Sequence, residues 1–378
     1  MDLNPTPLRA THVEVNLGQL GRNLKTIRQK VQPAKVMPVV KANAYGHGLL
    51  AVARYLLAEG ADYLAVAVLD EGLALRRAGI LAPVLVLGGI HAELIPAYLA
   101  NNLILTVTSH ENLVQIEQVA QQMGCTAQVH IKVDTGMGRL GVPYYEAESL
   151  LEASLEFDHI HVEGIYSHFA NSDAPDLGHA RLQLNRFESV LDFYTRRGLK
   201  RPLAHMANSA AILQLPESYL DIVRPGIMLY GVYPSKEVQR SVKVRPALTW
   251  KTRSVLSKLL PPGHPVSYGS TWQSDHPVRI LTLPLGYGDG YFRALSNRAV
   301  VLVRGKRYPV VGRVCMDQVM VDLEGDEAGV DDEVVLLGVQ GQAEVTAEEL
   351  ADLVGTIAYE ILTNINTRVP RVYVVDGS

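Results

Sequence analysis

The chain predicts an α/β plus β architecture, a (β/α)8 barrel of the TIM type followed by a mostly β C-terminal domain, on three observations. Between residue 17 and about residue 230, eight short apolar runs alternate with longer stretches of helical period. After about residue 235 the rhythm changes to strand-like runs joined by short Gly-, Pro- or Asp-rich connections. The length, 378 residues, suits two domains at ~150 residues each. The predicted division is 1–238 and 239–378, with residues 1–16 assigned as a stretch that can pack with the second domain.

The elements follow in order. Leu17, Leu20, Leu24, Ile27 and Val31 make one apolar helical face before the first strand. The eight predicted barrel strands are Val36–Val40, Tyr63–Ala67, Val84–Leu87, Ile104–Val107, Val129–Val133, His161–Ser167, Leu203–Met206 and Asp221–Arg224. Thr108-x-x-Glu111 reads as a capping box, and Pro143 suits a first helical turn. A doubly wound sheet is the rival fold, because periodicity alone does not close a barrel. In the second domain the predicted strands are Leu248–Leu259, Val278–Leu285, Ala299–Val303, Tyr308–Val311, Gln318–Leu323 and Glu333–Val339. Thr346-x-x-Glu349 opens one of two short helices, and Arg371–Val375 is a last strand.

Composition narrows the function. Thirty-five Lys+Arg against 39 Asp+Glu gives a net charge of −4, which argues against nucleic-acid binding. The two cysteines, Cys125 and Cys315, provide no disulfide framework and fit a reducing compartment. The N-terminal residues lack an apolar run after a basic start, and no stretch reaches the ~20 apolar residues that span a bilayer. A cytoplasmic protein without membrane or metal partners is the expectation.

Active sites of such barrels gather at the C-terminal ends of the strands. Lys41 directly follows the run Val36–Val40; partial desolvation there would favour the neutral, nucleophilic amine that a Schiff base requires. A surface lysine at a strand end is the plain alternative. Ala207-Asn208-Ser209 follows the seventh run and Pro225-Gly226-Ile227 the eighth, where barrels commonly bind phosphate. A turn glycine and a helix-capping serine are the structural alternative. A phosphate site with a strand-end lysine is what pyridoxal 5′-phosphate needs. Arg224 closes the eighth run; beside the pyridine nitrogen it would keep that nitrogen unprotonated and restrict the chemistry to proton removal and return. An ion pair with Asp221 is the alternative.

Several segments together resemble the alanine racemase family: Val40-Lys41-Ala42-Asn43-Ala44-Tyr45-Gly46-His47-Gly48, Lys132-Val133-Asp134-Thr135-Gly136-Met137-Gly138-Arg139, Ser167-His168-Phe169-Ala170, His205-Met206-Ala207-Asn208-Ser209, Arg224-Pro225-Gly226 and Leu229-Tyr230-Gly231. The resemblance resumes at Val266-Ser267-Tyr268-Gly269, Gly286-Tyr287-Gly288-Asp289-Gly290, Gly312-Arg313-Val314-Cys315-Met316-Asp317 and Tyr359-Glu360-Ile361-Leu362-Thr363. It implies a homodimer with composite active sites that interconverts L- and D-alanine through an external aldimine of pyridoxal phosphate, supplying D-alanine for peptidoglycan synthesis. Lys41 would carry the cofactor and act as one base, and Tyr268, from the partner subunit, as the other. Met316 and Asp317 would shape the substrate pocket, and Arg139 would meet both cofactor and substrate. Tyr45, Ser209, Gly226, Ile227 and Tyr359 would hold the cofactor's phosphate, and Asn208 and His168 would be further cofactor-binding residues. Lys132 matches a lysine that is carbamylated in some relatives.

The two-base scheme has its own logic, because a single base returns the proton to the face it came from. Free tyrosine titrates near ~10, so Tyr268 needs assistance, and His168 with Arg224 are candidates for a hydrogen-bonded relay. Alone, Tyr268 among 17 tyrosines or His168 as a core histidine would read as structural. Other readings remain: a racemase of serine or of broad specificity, a related decarboxylase, or a non-catalytic pyridoxal-phosphate carrier. Gly136-x-Gly138-x-x-Gly141 is a weak dinucleotide signal, and His159-x-His161 has metal-ligand spacing at the wrong end of its strand.

Overall fold

A computed structural model describes residues 8–375, so residues 1–7 of the N-terminal stretch lie outside the described residues. The chain divides into two compact units. One contains Leu20–Ala44 and Val52–Val244; the other gathers residues 8–19, Tyr45–Ala51 and residues 245–375.

All eight predicted barrel strands are present. Lys35–Val36 pairs in parallel with Ile222–Val223, which pairs with Leu203–His205. Ile160–Tyr166, Ala127–Asp134 and Leu105–Val107 follow in the same sense. Leu64–Val66 pairs with Val84–Val86. Two isolated bridges, Leu85 with Ile104 and Val39 with Ala65, link these groups into a ring. Every neighbour is parallel and adjacent in sequence order apart from the first and eighth, whose pairing closes the ring, so the doubly wound alternative is excluded. The first run is strand only at Lys35–Val36 with a bridge at Val39, so the chain leaves the sheet before Lys41.

Helices cover the ring. Leu20, Leu24, Ile27 and Val31 of the helix Leu17–Val31 are buried, as their spacing predicts. Two helix starts differ from expectation. Ser109, not Thr108, caps the helix His110–Met123, its hydroxyl accepting from the Asn112 N–H at 3.1 Å. The extended backbone at Ser109 suits a cap, and its oxygen is one residue closer to the unpaired N–H groups of the first turn. Pro143 ends the two-residue strand Val142–Pro143, and the next helix is Ala147–Ser154; a Pro without an N–H is equally at home at a strand edge.

In the second unit the neighbours run Leu256–Leu260, Val278–Leu283, Val319–Asp322, Lys306–Val311, Val300–Val303, Glu333–Gln340, Leu248–Arg253, His12–Asn16 and Arg371–Val374. The pairs are antiparallel except His12–Asn16 with Arg371–Val374. The predicted single strand Leu248–Leu259 is two strands broken at Ser254–Val255. There the buried Ser254 hydroxyl donates to Gly329 O at 2.6 Å and takes the chain out of line. Thr346 caps Ala347–Val354 by accepting from the Glu349 N–H at 3.0 Å.

Candidate active site

The barrel's C-terminal ends hold a cluster of basic groups. Val40 ends the first run and Lys41 follows it, half-buried. Burial lowers the Lys41 pKa, the positive charge of Arg139 lowers it further, and Glu71 opposes them. The backbone beyond is unusual: Ala42, Asn43, Ala44 and Tyr45 all have φ between 51° and 55°. A left-handed turn of L-residues costs about 1–2 kcal/mol per residue, so it persists only where neighbours fix it. Glu71 is one such neighbour. Its carboxylate accepts from the Ala42 N–H at 2.6 Å and from the Ala67 N–H at 2.8 Å, tying the turn to the end of the second strand. Sequence reading missed Glu71, which sits in an ordinary helix, Leu69–Arg77.

Arg224 follows the eighth strand and is 3% exposed. Asp221, its proposed ion-pair partner, is engaged by Arg201 instead. Among the described residues no carboxylate touches Arg224. Its Nη1 donates to His205 Nδ1 at 2.6 Å, and its Nη2 to Ser167 O at 2.8 Å and His168 Nδ1 at 3.2 Å. Burial draws its pKa from 12.5 down to about 10, which still leaves it a cation at neutral pH. Burial and the charges of Arg224, Lys132, Arg139 and Lys41 hold His168 well below the ordinary histidine range. His205, similarly burdened, is also held neutral. Tyr166 stacks on His205 with centroids 4.8 Å apart and planes 4° from parallel.

Lys132 lies in the barrel interior, 6% exposed, with Nζ 4.9 Å from the centre of the Tyr166 ring. Burial first, then Arg224, depress its pKa well below 10.5. Arg139 sits in the loop that follows the fifth strand and is exposed. The loop Gly136–Gly141 leads into Val142–Pro143 rather than into a helix. His159 bonds Glu117 at 2.8 Å.

The loops after strands seven and eight meet at Ser209. Its buried hydroxyl oxygen accepts from the Gly226 N–H at 2.9 Å and the Met228 N–H at 3.3 Å. Asn208 Oδ1 accepts from the Ala211 N–H at 3.0 Å and the Ser172 hydroxyl at 2.9 Å, so this carbonyl caps a helix rather than facing a ligand. Ile227 opens a short 3-10 turn, Ile227–Tyr230.

These residues suit pyridoxal phosphate. With both lone pairs of Ser209 Oγ engaged, its O–H is left as a donor for a phosphate oxygen. Arg224 keeps its Nε–H unused among the described residues, and a donor of that kind suits an unprotonated pyridine nitrogen. The desolvated Lys41 amine suits an aldehyde.

The second unit carries the remaining predicted residues. Tyr45 is buried and its ring lies 6.1 Å from that of Tyr359; burial raises the pKa of its hydroxyl. Tyr268 is 72% exposed, in a turn between Ser267 at φ 67° and Gly269 at φ 72°. The Ser267 hydroxyl donates to Arg313 O at 2.6 Å and fixes this turn. Met316 is also exposed. The Gly288 N–H donates to Met316 O at 2.9 Å, and a Cβ on Gly286 would fall 2.1 Å from Cys315 O, so only glycine permits this loop contact. Asp317 accepts from Arg368 Nη2 at 2.8 Å.

Family models for the alanine racemase N-terminal domain and C-terminal domain match residues 15–234 and 247–373. The alanine racemase of Carboxydothermus hydrogenoformans is 49% identical over 369 residues, covering 97% of this chain and 100% of the relative. Among solved structures, the Clostridium difficile 630 alanine racemase in complex with cycloserine matches with a TM-score of 0.92 at 37% identity, over 98% of this chain and 97% of that one. The Bacillus anthracis alanine racemase with bound L-Ala-P matches with a TM-score of 0.93 at 38% identity, over 99% and 97%. The chain belongs to the alanine racemase family of pyridoxal-phosphate-dependent isomerases.

Proposed function

We propose that the chain interconverts L- and D-alanine with pyridoxal 5′-phosphate, using Lys41 and Tyr268 as two bases in sites completed between the subunits of a homodimer. The observation that carries the reading is Arg224, a buried cation without a carboxylate in contact among the described residues, held by neutral His205 and His168 with its Nε–H unused. When bound, the cofactor supplies an electron sink that acidifies the amino acid's Cα–H. Arg224 limits that sink by donating to the pyridine nitrogen without giving up its proton. Such a restriction favours simple proton return over transamination.

Lys41, with its pKa lowered, carries more free amine than an exposed lysine, which suits holding the cofactor and exchanging a proton on one face of Cα. Tyr268 exchanges a proton on the other face, and His168 with Arg224 relays its charge. The exposure of Tyr268 and Met316 in a single chain supports their use by a second copy. Ser209, Gly226 and Ile227 hold the phosphate with Tyr45 and Tyr359, and Asn208 braces that loop through its helix cap. Arg139, Met316 and Asp317 orient the substrate. The product is D-alanine, made in the cytoplasm for peptidoglycan; no helix among the described residues is long and apolar enough to cross a membrane.

The test is chiral analysis of L-alanine incubated with the protein and the cofactor in heavy water. D-Alanine labelled at Cα is expected. A cofactor-loaded protein giving neither D-alanine nor label would overturn the reading in favour of another amino acid or a carrier.

A further inference from the structure

His205 is the middle of a longer column through the barrel. His205 Nε2 lies 2.8 Å from His130 Nδ1. His130 Nε2 faces Glu163 Oε2 at 3.5 Å, a charge contact, and has no hydrogen-bond partner among the described residues. The other carboxylate oxygen of Glu163 accepts from the Tyr63 hydroxyl at 2.7 Å. Both histidines are fully buried. Glu163 instead lines an open cavity of about 620 Å³ with Arg76, Asn101 and Gln128.

The backbone is shaped for this column. The strand Ile160–Tyr166 pairs with Ala127–Asp134 as Val129 with Val162 and then His130 with Gly164, so Glu163 is the extra residue of a β-bulge. A bulge re-aims a side chain, here turning the carboxylate toward His130. The next residue is glycine because a Cβ there would lie 2.5 Å from the His130 ring.

The directions of the hydrogen bonds follow from one fact: arginine only donates. His205 Nδ1 therefore accepts from Arg224, so a neutral His205 carries its proton on Nε2 and donates to His130 Nδ1. His130 then carries its own proton on Nε2, pointing at Glu163. We infer that Glu163 is a positioning residue for Arg224: its carboxylate, facing His130 Nε2, favours the Nε2–H forms of His130 and His205, which keeps His205 Nδ1 available to orient the guanidinium. Removing the carboxylate takes away the negative charge that faces the buried His130 Nε2–H, and His130 then loses the reason to keep its proton on that side. The charged and titratable groups around the column are Arg224, Lys132, His161, Tyr63 and Tyr166.

The role in catalysis rests on the proposed placement of Arg224 at the cofactor, whereas the column does not. The test compares wild type, Glu163→Gln and Glu163→Leu. Glutamine can still face His130 with a carbonyl oxygen and pair with Tyr63, and leucine can do neither. Histidine 15N spectra of the cofactor-free protein should show Nε2–H forms for His130 and His205 in wild type and Glu163→Gln. Glu163→Leu should show mixed forms. In the loaded enzyme, Glu163→Leu should lower kcat ~10-fold or more with KM for alanine within ~2-fold, and Glu163→Gln should restore it. Unchanged spectra in a folded Glu163→Leu protein would overturn the column. Changed spectra with unchanged kcat would overturn its role in positioning Arg224 for the reaction. If wild type does not racemise alanine, the functional reading fails while the spectra still decide the column.

Discussion

Lys41 and Tyr268 are asked for the same chemistry from opposite surroundings. Lys41 is half-buried, and burial, then the charge of Arg139, favour its free amine, whereas Tyr268 is 72% exposed on a fixed turn. Tyr268→Phe should therefore leave cofactor binding intact, read from the visible absorption band, while lowering kcat by ~10²–10⁴, the range for losing a general base. The loss should be steepest for proton removal from L-alanine. Lys41→Ala should abolish the bound cofactor's band as well as turnover. Mixed dimers of these two inactive variants should regain activity, and a verified heterodimer that stays inactive would count against shared sites. Lys132 is legible only as a motif residue, yet its burial and depressed pKa make its neutral amine able to add CO₂ and release a proton. A carbamate signal from ¹³C-bicarbonate, absent in Lys132→Ala, is expected; no signal in the wild type would leave Lys132 an amine packed on Tyr166.

At the scale of elements, caps and turns separate what periodicity reveals from what it hides. Ser109→Ala should cost about 1 kcal/mol in denaturant unfolding, the usual value of an N-cap, and Thr108→Ala far less; the reverse order would restore the predicted capping box. The eight apolar runs were legible because burial on the barrel imposes β-compatible runs between helical stretches. The left-handed turn at Ala42–Tyr45 was not, since no glycine within it signals a positive φ. Nor was the bulge at Glu163, because one extra residue leaves an apolar run looking continuous. His130 and Lys132 share a barrel-interior face two residues apart, the one available hint of a polar column. The turn also carries a prediction. Ala42 is exposed with φ 51°, so Ala42→Gly relieves about 1–2 kcal/mol of strain against an unfolded-state entropy cost of about 0.4–1 kcal/mol. Stability should hold or rise slightly while kcat falls, because Lys41 loses the rigid turn that aims it. A clear loss of stability would show that the turn is not strained.

Over the whole molecule, the cations buried at the barrel's heart set how folding responds to acid. His168 and His205 are both held well below the ordinary value of 6.5, first by burial and then by Arg224. Folded, they stay neutral just below that pH; unfolded, they take up protons. The unfolded state thus binds more protons in that window, so stability rises with pH there and is lost as pH falls. Each such proton contributes a slope of about 1.4 kcal/mol per pH unit, and two give about 2.7. Above the ordinary value both states are neutral and this contribution is flat. Lys41 and Lys132 also have lowered pKa values, so they act in the same sense at higher pH, adding stability as the unfolded lysines' charge advantage disappears toward 10.5. Urea unfolding of the cofactor-free protein across the acid range should show stability falling as pH drops below 6.5, and His205→Gln should reduce that slope by about one proton's worth. A flat acid profile in wild type would mean that these histidines take up protons in the fold as readily as in the unfolded chain. Arg224 would then face imidazolium neighbours, and His205 Nδ1 would have no lone pair with which to receive its N–H.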